Sequence, residues 1–348
     1  MNQDQIFMKR CLELAALGWP KCRPNPMVGC VIVHKGKIIG EGYHQKYGGP
    51  HAEVNAINAV VDKAILAKST LYVSLEPCAH HGKTPPCSDF IVQHKLERVV
   101  IATTDTFSEV RGKGIKRLKD AGIKVDVGFL ENEARNLNKR FFCIHEKNRP
   151  YVILKWAESK DGFIDKLRTS NESSSEKITG PIVQQLVHQW RAEEQSILVG
   201  GNTVRLDNPQ LNVRQAHGPN PLRIIISAEN NIPESSLILI DGQATLIFNS
   251  KLNLQKDNLE WIKWEFNENW IEKILIHLAE RDVQSIFIEG GKNILDQFIA
   301  SSQWDEIRRF IADKPLINGI TAPKIEHHCS KEKTIGSTSL KMYYNKYD

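Results

Sequence analysis

Apolar residues at Ile6, Phe7, Cys11, Leu14, Ala15 and Leu17 recur with the period of an amphipathic helix, and Gly18 and Pro20 stop it. A proline-broken loop, Arg23-Pro-Asn-Pro-Met-Val-Gly29, leads into Cys30-Val-Ile-Val33, whose unbroken apolar run predicts a buried strand. His34-Lys-Gly-Lys37 then predicts a hairpin turn into Ile38-Ile39. Gly48-Gly-Pro50 breaks the chain, and Val54, Ile57, Val60 and Val61 restore a helical period, so His51-Ala-Glu53 falls in the first turn of a helix. Residues 70–75 predict a strand, Cys87 opens a helical run through Phe90, Ile91 and Leu96, and residues 98–102 and 122–127 predict two more strands. This alternation predicts a mostly parallel sheet covered on both faces.

Residues 131–145 predict one helix, ending in the charged, proline-terminated link Glu146-Lys-Asn-Arg-Pro150. A chain of 348 residues exceeds one ordinary domain, and a boundary at this link gives domains 1–146 and 147–348. Beyond it, strands are predicted at 151–155, 196–199, 221–227, 244–248 and 285–289. A helix follows Ile178-Thr179-Gly180 through Val183, Leu186, Val187 and Trp190 to about Arg191, and another spans 294–300. Two strands run straight into glycine pairs, Gly200-Gly201 and Gly290-Gly291. Such pairs are commonly tight turns, but glycines before a helix also let a phosphate reach backbone N–H groups. No G-x-G-x-x-G occurs, so a Rossmann dinucleotide site is not predicted. The stretch after Pro315 carries no motif.

Composition narrows the class. With 41% hydrophobic and 25% charged residues the chain reads as soluble and globular, and no apolar run approaches the roughly 20 residues of a membrane span. The formal charge of +5 is mild and unblocked, and no basic cluster flanks the candidate site below, which argues against a nucleic-acid partner. Seven cysteines in no repeating framework, with no signal peptide ahead of them, predict a reducing cytoplasm. Cys11, Cys30 and Cys143 fall on apolar faces and read as core residues.

The chemistry concentrates in His51-Ala-Glu53 and Pro77-Cys78-Ala-His-His-Gly-Lys-Thr-Pro-Pro-Cys87. One histidine and two cysteines can give a tetrahedral Zn2+ three ligands and leave a fourth position open, the catalytic rather than the structural arrangement. Glu53 then suits a general acid/base, as in the H-x-E…P-C-x-x-C signature of zinc deaminases, although here eight residues, not two, separate the cysteines. Any one of His51, Cys78 and Cys87 alone reads better as a core residue; together with Glu53 and Pro77 they read as a metal site. His80, His81 and Cys22 are alternative ligands, but their loop positions favour substrate contact or exposure.

Through Pro24-Asn-Pro-Met-Val-Gly29, Gly49-Pro-His-Ala-Glu53 and the long Cys78–Cys87 insert, the chain resembles the bacterial bifunctional riboflavin-biosynthesis deaminase–reductase family. The resemblance implies an N-terminal cytidine-deaminase-like α/β/α domain in which His51, Cys78 and Cys87 hold zinc and Glu53 shuttles protons. It further implies that Asn25, His44, Lys83 and Asp105 line a pocket for a phosphorylated small-molecule pyrimidine. Lys83 and His44 suit a phosphate as cationic donors, although Lys83 equally reads as a solvated loop lysine. Asp105 is followed by Thr-Phe-Ser where the family usually has Pro-Asn-Pro.

Lys155-x-Ala157-x-Ser159-x-Asp161-Gly162 and Val199-Gly-Gly-Asn-Thr-Val-Arg-Leu-Asp-Asn-Pro209 resemble the family's second half. That implies a dihydrofolate-reductase-like α/β domain that uses NADPH to reduce the opened ribose to a ribityl chain. Ala157, Thr203, Asp207, Gly290 and Gly291 would contact the dinucleotide. Ser175, Arg191, Leu211, Arg214 and Glu289 would face the ribose phosphate beside Lys155, a catalytic candidate. Lys177 stands where the family usually has tryptophan and could pair with a cofactor phosphate; the polar, serine-rich segment 165–177 reads as a lid. A homo-oligomer is expected. Two other classes compete: a zinc nucleoside or tRNA deaminase with a recognition domain, and a structural zinc scaffold in which Glu53 has no task.

Overall fold

Gly29–His34 (β1) and Lys37–Tyr43 (β2) form the hairpin that the turn at 34–37 predicts. In the computed structural model, which describes residues 2–79, 85–106, 111–168 and 176–345, this hairpin belongs to the first of two units, Met1–Asn148. That unit continues from α1 (Gln3–Ala16) and the hairpin through α2 (Ala52–Ala59), β3 (Thr70–Val73), α3 (Cys87–Gln93), β4 (Arg98–Ile101), α4 (Lys113–Asp120) and β5 (Lys124–Val127) to α5 (Glu131–Leu137) and α6 (Lys139–Lys147). Among the described residues the strands form a five-stranded sheet in the order β2-β1-β3-β4-β5.

Period-two alternation sorts its core onto two faces. Cys30, Ile32, Leu71, Val73, Val99 and Ile101 point to the side covered by α2, α3 and α4. Val31, Val33, Tyr72 and Val100 point to the side covered by α1 and α5, where Met8, Cys11, Leu14 and Ala134 meet them. Four of the five strands, β2 to β5, point the same way, so the sheet is mostly parallel as predicted, with β1 the exception. β1 is antiparallel to both its neighbours, because β2 returns along it before α2 crosses over to β3. The helix predicted over 131–145 is broken in two, at Asn138: its side-chain amide donates to the Met27 carbonyl and accepts from the Met27 N–H, both at 2.8 Å. Cys11, Cys30 and Cys143 are buried as expected.

The second unit, Arg149–Asp348, opens with β6 (Tyr151–Glu158), β7 (Phe163–Asp165), α7 (Pro181–Glu193), β8 (Ser196–Gly200), α8 (Gly201–Asp207), β9 (Leu222–Ile226) and α9 (Leu237–Ile240). It continues with β10 (Thr245–Asn249), β11 (Leu254–Lys256), β12 (Leu259–Lys263), α10 (Trp270–Ala279), β13 (Ser285–Gly290) and α11 (Lys292–Ala300). It closes with β14 (Glu306–Ala312), β15 (Ile320–Thr321), β16 (Lys331–Ile335) and β17 (Thr338–Tyr344). Among the described residues a ten-stranded sheet runs β11-β12-β10-β9-β8-β13-β6-β14-β17-β16, and the block from β12 to β14 is parallel throughout. The chain after Pro315, which carries no sequence motif, thus supplies part of this sheet.

One face packs Leu154, Leu198, Ile224, Phe248 and Ile288 against α10 and α11. The other is covered by α7, whose Trp190 stacks on Phe310 with centroids 5.5 Å apart and meets Phe287 edge-on at 6.2 Å. No helix among the described residues is long and apolar enough to cross a membrane.

Candidate active sites

His51 is the N-cap residue of α2, and Glu53 lies in the first turn. Helix α2 sits directly on β2: a Cβ on Gly42 would lie 2.4 Å from the Ala56 nitrogen and 2.6 Å from the Ala52 oxygen. That contact seats the start of α2 against the sheet. Cys78 follows the end of β3, and Cys87 is the first residue of α3. The three ligand atoms of His51, Cys78 and Cys87 lie within 4.8 Å of one another. The Cys87 sulfur is 3.3 Å and the Cys78 sulfur 3.6 Å from His51 Nδ1, and the Cys87 N–H donates to Cys78 Sγ at 3.3 Å. The Cys87 thiol, and after it His51, draw the Cys78 thiol down to about 4 against the effect of burial, so a thiolate forms readily.

Glu53 is 3% exposed, and its Oε2 is buried without a hydrogen-bond partner among the described residues. Burial pushes its carboxyl up to about 7, although the nearby His51 acts to lower it. Two sulfurs, one imidazole and an unpartnered buried carboxylate oxygen fit a three-ligand catalytic zinc centre.

His44 does not supply the cationic donor expected of it. It is 2% exposed; Nδ1 faces the Pro50 carbonyl at 3.1 Å, so it carries the proton, and Nε2 accepts from the Asn25 amide at 3.1 Å. A neutral ring results, with burial as the main cause, and it packs edge-on against His51 at 5.3 Å. Its geometry orients Asn25 rather than a phosphate. Cys22 is fully buried and not among the grouped ligand atoms; it packs with Ala15 and Met27. Asp105 is buried, and Lys83, His80 and His81 lie outside the described residues.

Glu76, between the end of β3 and Pro77, was not singled out from the sequence. Its Oε2 accepts from the N–H groups of Asp105 (3.3 Å) and Gly112 (3.0 Å), and its Oε1 from Gly114 (3.1 Å) and Ile115 (3.2 Å). One carboxylate therefore ties the Asp105 loop and the start of α4 to the residue two before Cys78. A charge at the end of an apolar strand was the available signal.

In the second unit a cleft of about 830 Å³ opens at the carboxyl ends of parallel strands, the usual ligand position in such sheets. Lys155, Ala157, Lys177, Thr203, Asp207, Glu289, Gly290 and Gly291, all expected from sequence, line it. Gly291 has φ +76°, and a Cβ there would lie 3.2 Å from Thr203 Oγ1, so glycine keeps this turn close to Thr203. Asp207 is ion-paired with Arg168 at 2.6 Å, and Arg168 also holds Asp165.

Arg191 and Arg214 approach Glu289 from α7 and from the loop after α8. Arg191 donates to both Glu289 oxygens and, through Nη1, to the Asn212 carbonyl at 3.2 Å. Lys155 Nζ reaches Glu289 Oε2 at 3.3 Å. Burial acts to raise the Glu289 carboxyl, but Arg191 and Lys155 hold it down at about 2. Arg191, expected to face the ribose phosphate, places its fork on Glu289. Arg214 is exposed and bonds the neutral Asn212 side chain at 3.0 Å. Leu211 is buried with φ +53° and marks the turn that presents Asn212. That loop is held by the fully buried Arg223, whose Nη1 donates to the Gln210 carbonyl at 3.1 Å. Ser175 lies outside the described residues.

Comparison with known proteins places both halves. The family described as the cytidine and deoxycytidylate deaminase zinc-binding region matches residues 1–103, and the RibD C-terminal domain matches residues 150–326. Riboflavin biosynthesis protein RibD of Aquifex aeolicus (strain VF5) is 41% identical over 326 residues, covering 91% of this chain and 89% of the relative. The Escherichia coli (strain K12) protein of the same name is 36% identical over 337 residues, covering 90% and 89%. A Thermotoga maritima structure titled diaminohydroxyphosphoribosylaminopyrimidine deaminase/5-amino-6-(5-phosphoribosylamino)uracil reductase superposes with TM-score 0.88 at 33% identity, covering 98% of each chain. Acinetobacter baumannii RibD gives TM-score 0.87 at 31% identity, again covering 98% of each. The first unit is therefore a cytidine-deaminase-like domain and the second a dihydrofolate-reductase-like one. With this coverage and identity along both halves, the chain belongs to the RibD family of riboflavin-biosynthesis proteins.

Proposed function

We propose that the protein deaminates 2,5-diamino-6-(phosphoribosylamino)pyrimidin-4-one and then reduces the ribose of the product to a ribityl chain with NADPH. Deaminase chemistry belongs to residues 1–146 and reductase chemistry to 147–348. The observation that carries the reading is Glu53 Oε2, buried and without a partner among the described residues, beside the His51, Cys78 and Cys87 cluster. Those three residues would hold zinc, which as a Lewis acid makes a water nucleophilic near neutral pH. Glu53 takes one proton from the attacking water and gives it to the ring nitrogen, then carries the second, from the new hydroxyl, to the departing amine, so water enters and ammonia leaves. A carboxyl pushed up toward neutrality both accepts and returns a proton at little cost. Asn25, which donates to His44 at 3.1 Å, would hydrogen-bond the pyrimidine.

In the second cleft NADPH supplies the hydride. Lys155, ion-paired with Glu289, donates a proton to the oxygen of the opened ribose carbonyl. Arg214 and the exposed Lys177 offer cations to phosphate groups. This reading also puts the enzyme in the cytoplasm as a homo-oligomer, the latter testable by light scattering.

Glu53→Gln tests the deaminase assignment. The variant keeps its zinc, loses ammonia release by about 10²–10⁴-fold, and still oxidises NADPH with the already deaminated substrate. Unchanged ammonia release would sink the assignment of Glu53.

A further inference from the structure

The reductase cleft has two ends. Lys155 and Glu289 mark one, on β6 and β13; the other lies where β8 and β9 finish. Three inter-strand steps, about 14 Å, separate β6 from β9. At the far end Gly201 packs directly on Ser227: a Cβ on Gly201 would lie 2.7 Å from Ser227 Oγ and 2.9 Å from its Cβ. That close approach gathers Asn202 and Arg205 of α8 with Ser227 and Asn231, and all four line the cleft.

Charge singles out Arg205 within this group. Lys155, Arg168 and Lys292 also line the cleft, and each already holds a carboxylate: Glu289, Asp165 with Asp207, and Asp296. Among the described residues Arg205 has no acidic partner. Its guanidinium meets the side-chain oxygens of Asn202 and Asn231, and Asn231 Oδ1 also accepts from Ser227 Oγ at 3.3 Å. Glu229, the acid lining this end, is drawn instead to Lys251 at 3.4 Å. A carboxylate left open here would select the ribose diol of a dinucleotide without the extra phosphate. Neutral amide oxygens give way to a dianion, whose oxygens match a guanidinium fork.

We propose that Arg205, completed by Ser227 and Asn231, binds the 2′-phosphate of the adenosine ribose and so selects NADPH over NADH. The proposal rests on the reading of this cleft as the dinucleotide site. Lys177 is the other cleft cation without an acidic partner among the described residues.

Equilibrium binding by titration calorimetry, with no pyrimidine present, tests it using NADPH, NADH, 2′,5′-ADP and 5′-AMP. Arg205→Gln weakens NADPH and 2′,5′-ADP by on the order of 30-fold, about 2 kcal/mol at 1.4 kcal/mol per decade. NADH and 5′-AMP change less than about twofold, and Arg205→Lys recovers part of the loss. Raising salt narrows the gap between NADPH and NADH in the wild type but not in Arg205→Gln. Equal weakening of NADPH and NADH, or an undiminished preference for NADPH, overturns the role of Arg205. Failure of every nucleotide to bind the wild-type protein overturns the reading of the cleft itself.

Discussion

Arg191 grips Glu289 with two parallel bonds, Nε to Oε1 at 2.5 Å and Nη2 to Oε2 at 2.9 Å. Both side chains are largely withdrawn from water, at 12% and 8% exposure, so the pair is a buried bidentate bridge. Removing one partner of such a bridge leaves an uncompensated buried charge. Glu289→Gln is therefore expected to destabilise the second unit by about 3 kcal/mol and to free Lys155 as well. Urea denaturation checks this; a loss below about 1 kcal/mol contradicts the bridge. In the wild type Glu289 contributes stability in full above its ordinary value of 4.5, and the contribution fades as pH falls toward about 2.

His188 sets a second pH dependence in the same unit. Burial first, then the charges of Arg191 and Arg214, hold its imidazole down at about 4 from 6.5. Its Nδ1 accepts from the Arg214 N–H at 3.4 Å, which the neutral ring permits. Between pH 6.5 and about 4 the unfolded chain binds a proton that the folded chain refuses, so stability drops as pH falls through that window. His188→Asn keeps an acceptor without titrating. The slope of unfolding free energy against pH over this interval should flatten in the variant; an unaltered slope assigns it to other groups.

Glu76 gathers four backbone N–H groups from 105–115. Glutamine keeps one oxygen but turns an NH2 toward two donors, so Glu76→Gln should lower the stability of the first unit by about 2–3 kcal/mol. Gly114→Ala is expected to be worse, because its Cβ would lie 1.9 Å from the Pro77 oxygen. Thermal unfolding read from the first unit's signals measures both, and wild-type melting of either variant contradicts the contacts.

Cys87 is fully buried beside His51, so Cys87→Ser should reduce bound zinc to a small fraction, measurable by atomic absorption, and abolish ammonia release. Chelation of wild-type protein should do the same and be reversed by added zinc. Reduction of the deaminated substrate should survive both treatments, and its loss would mean that zinc serves the second activity too.

What the sequence made legible was local. Pro50 and the period through Val54, Ile57 and Val60 put His51 at a helix start, and the side-chain types of Cys78 and Cys87 named their chemistry. Less legible were residues whose partners are distant backbone atoms. Asn138 bonds the main chain of Met27, 111 positions away, and Glu76 binds N–H groups 29 to 39 residues ahead. Residue types do not advertise such partners. His44 looked like a cation because its type allows one; the Pro50 carbonyl and the Asn25 amide settle its tautomer. Ser227 and Arg205 escaped notice because the far end of the cleft assembles from the ends of two separate strands.

The ten-stranded sheet has two borders, and each resists extension differently. β11 is three residues long, each of them exposed, and is too short to template another chain. β16 reads Lys-Glu-Lys-Thr-Ile with its first four residues exposed, a row of alternating charges that an incoming strand would have to desolvate. A concentrated solution of this protein is thereby guarded against fibrous growth along its largest sheet, even though that sheet's interior strands are among the most apolar stretches of the chain.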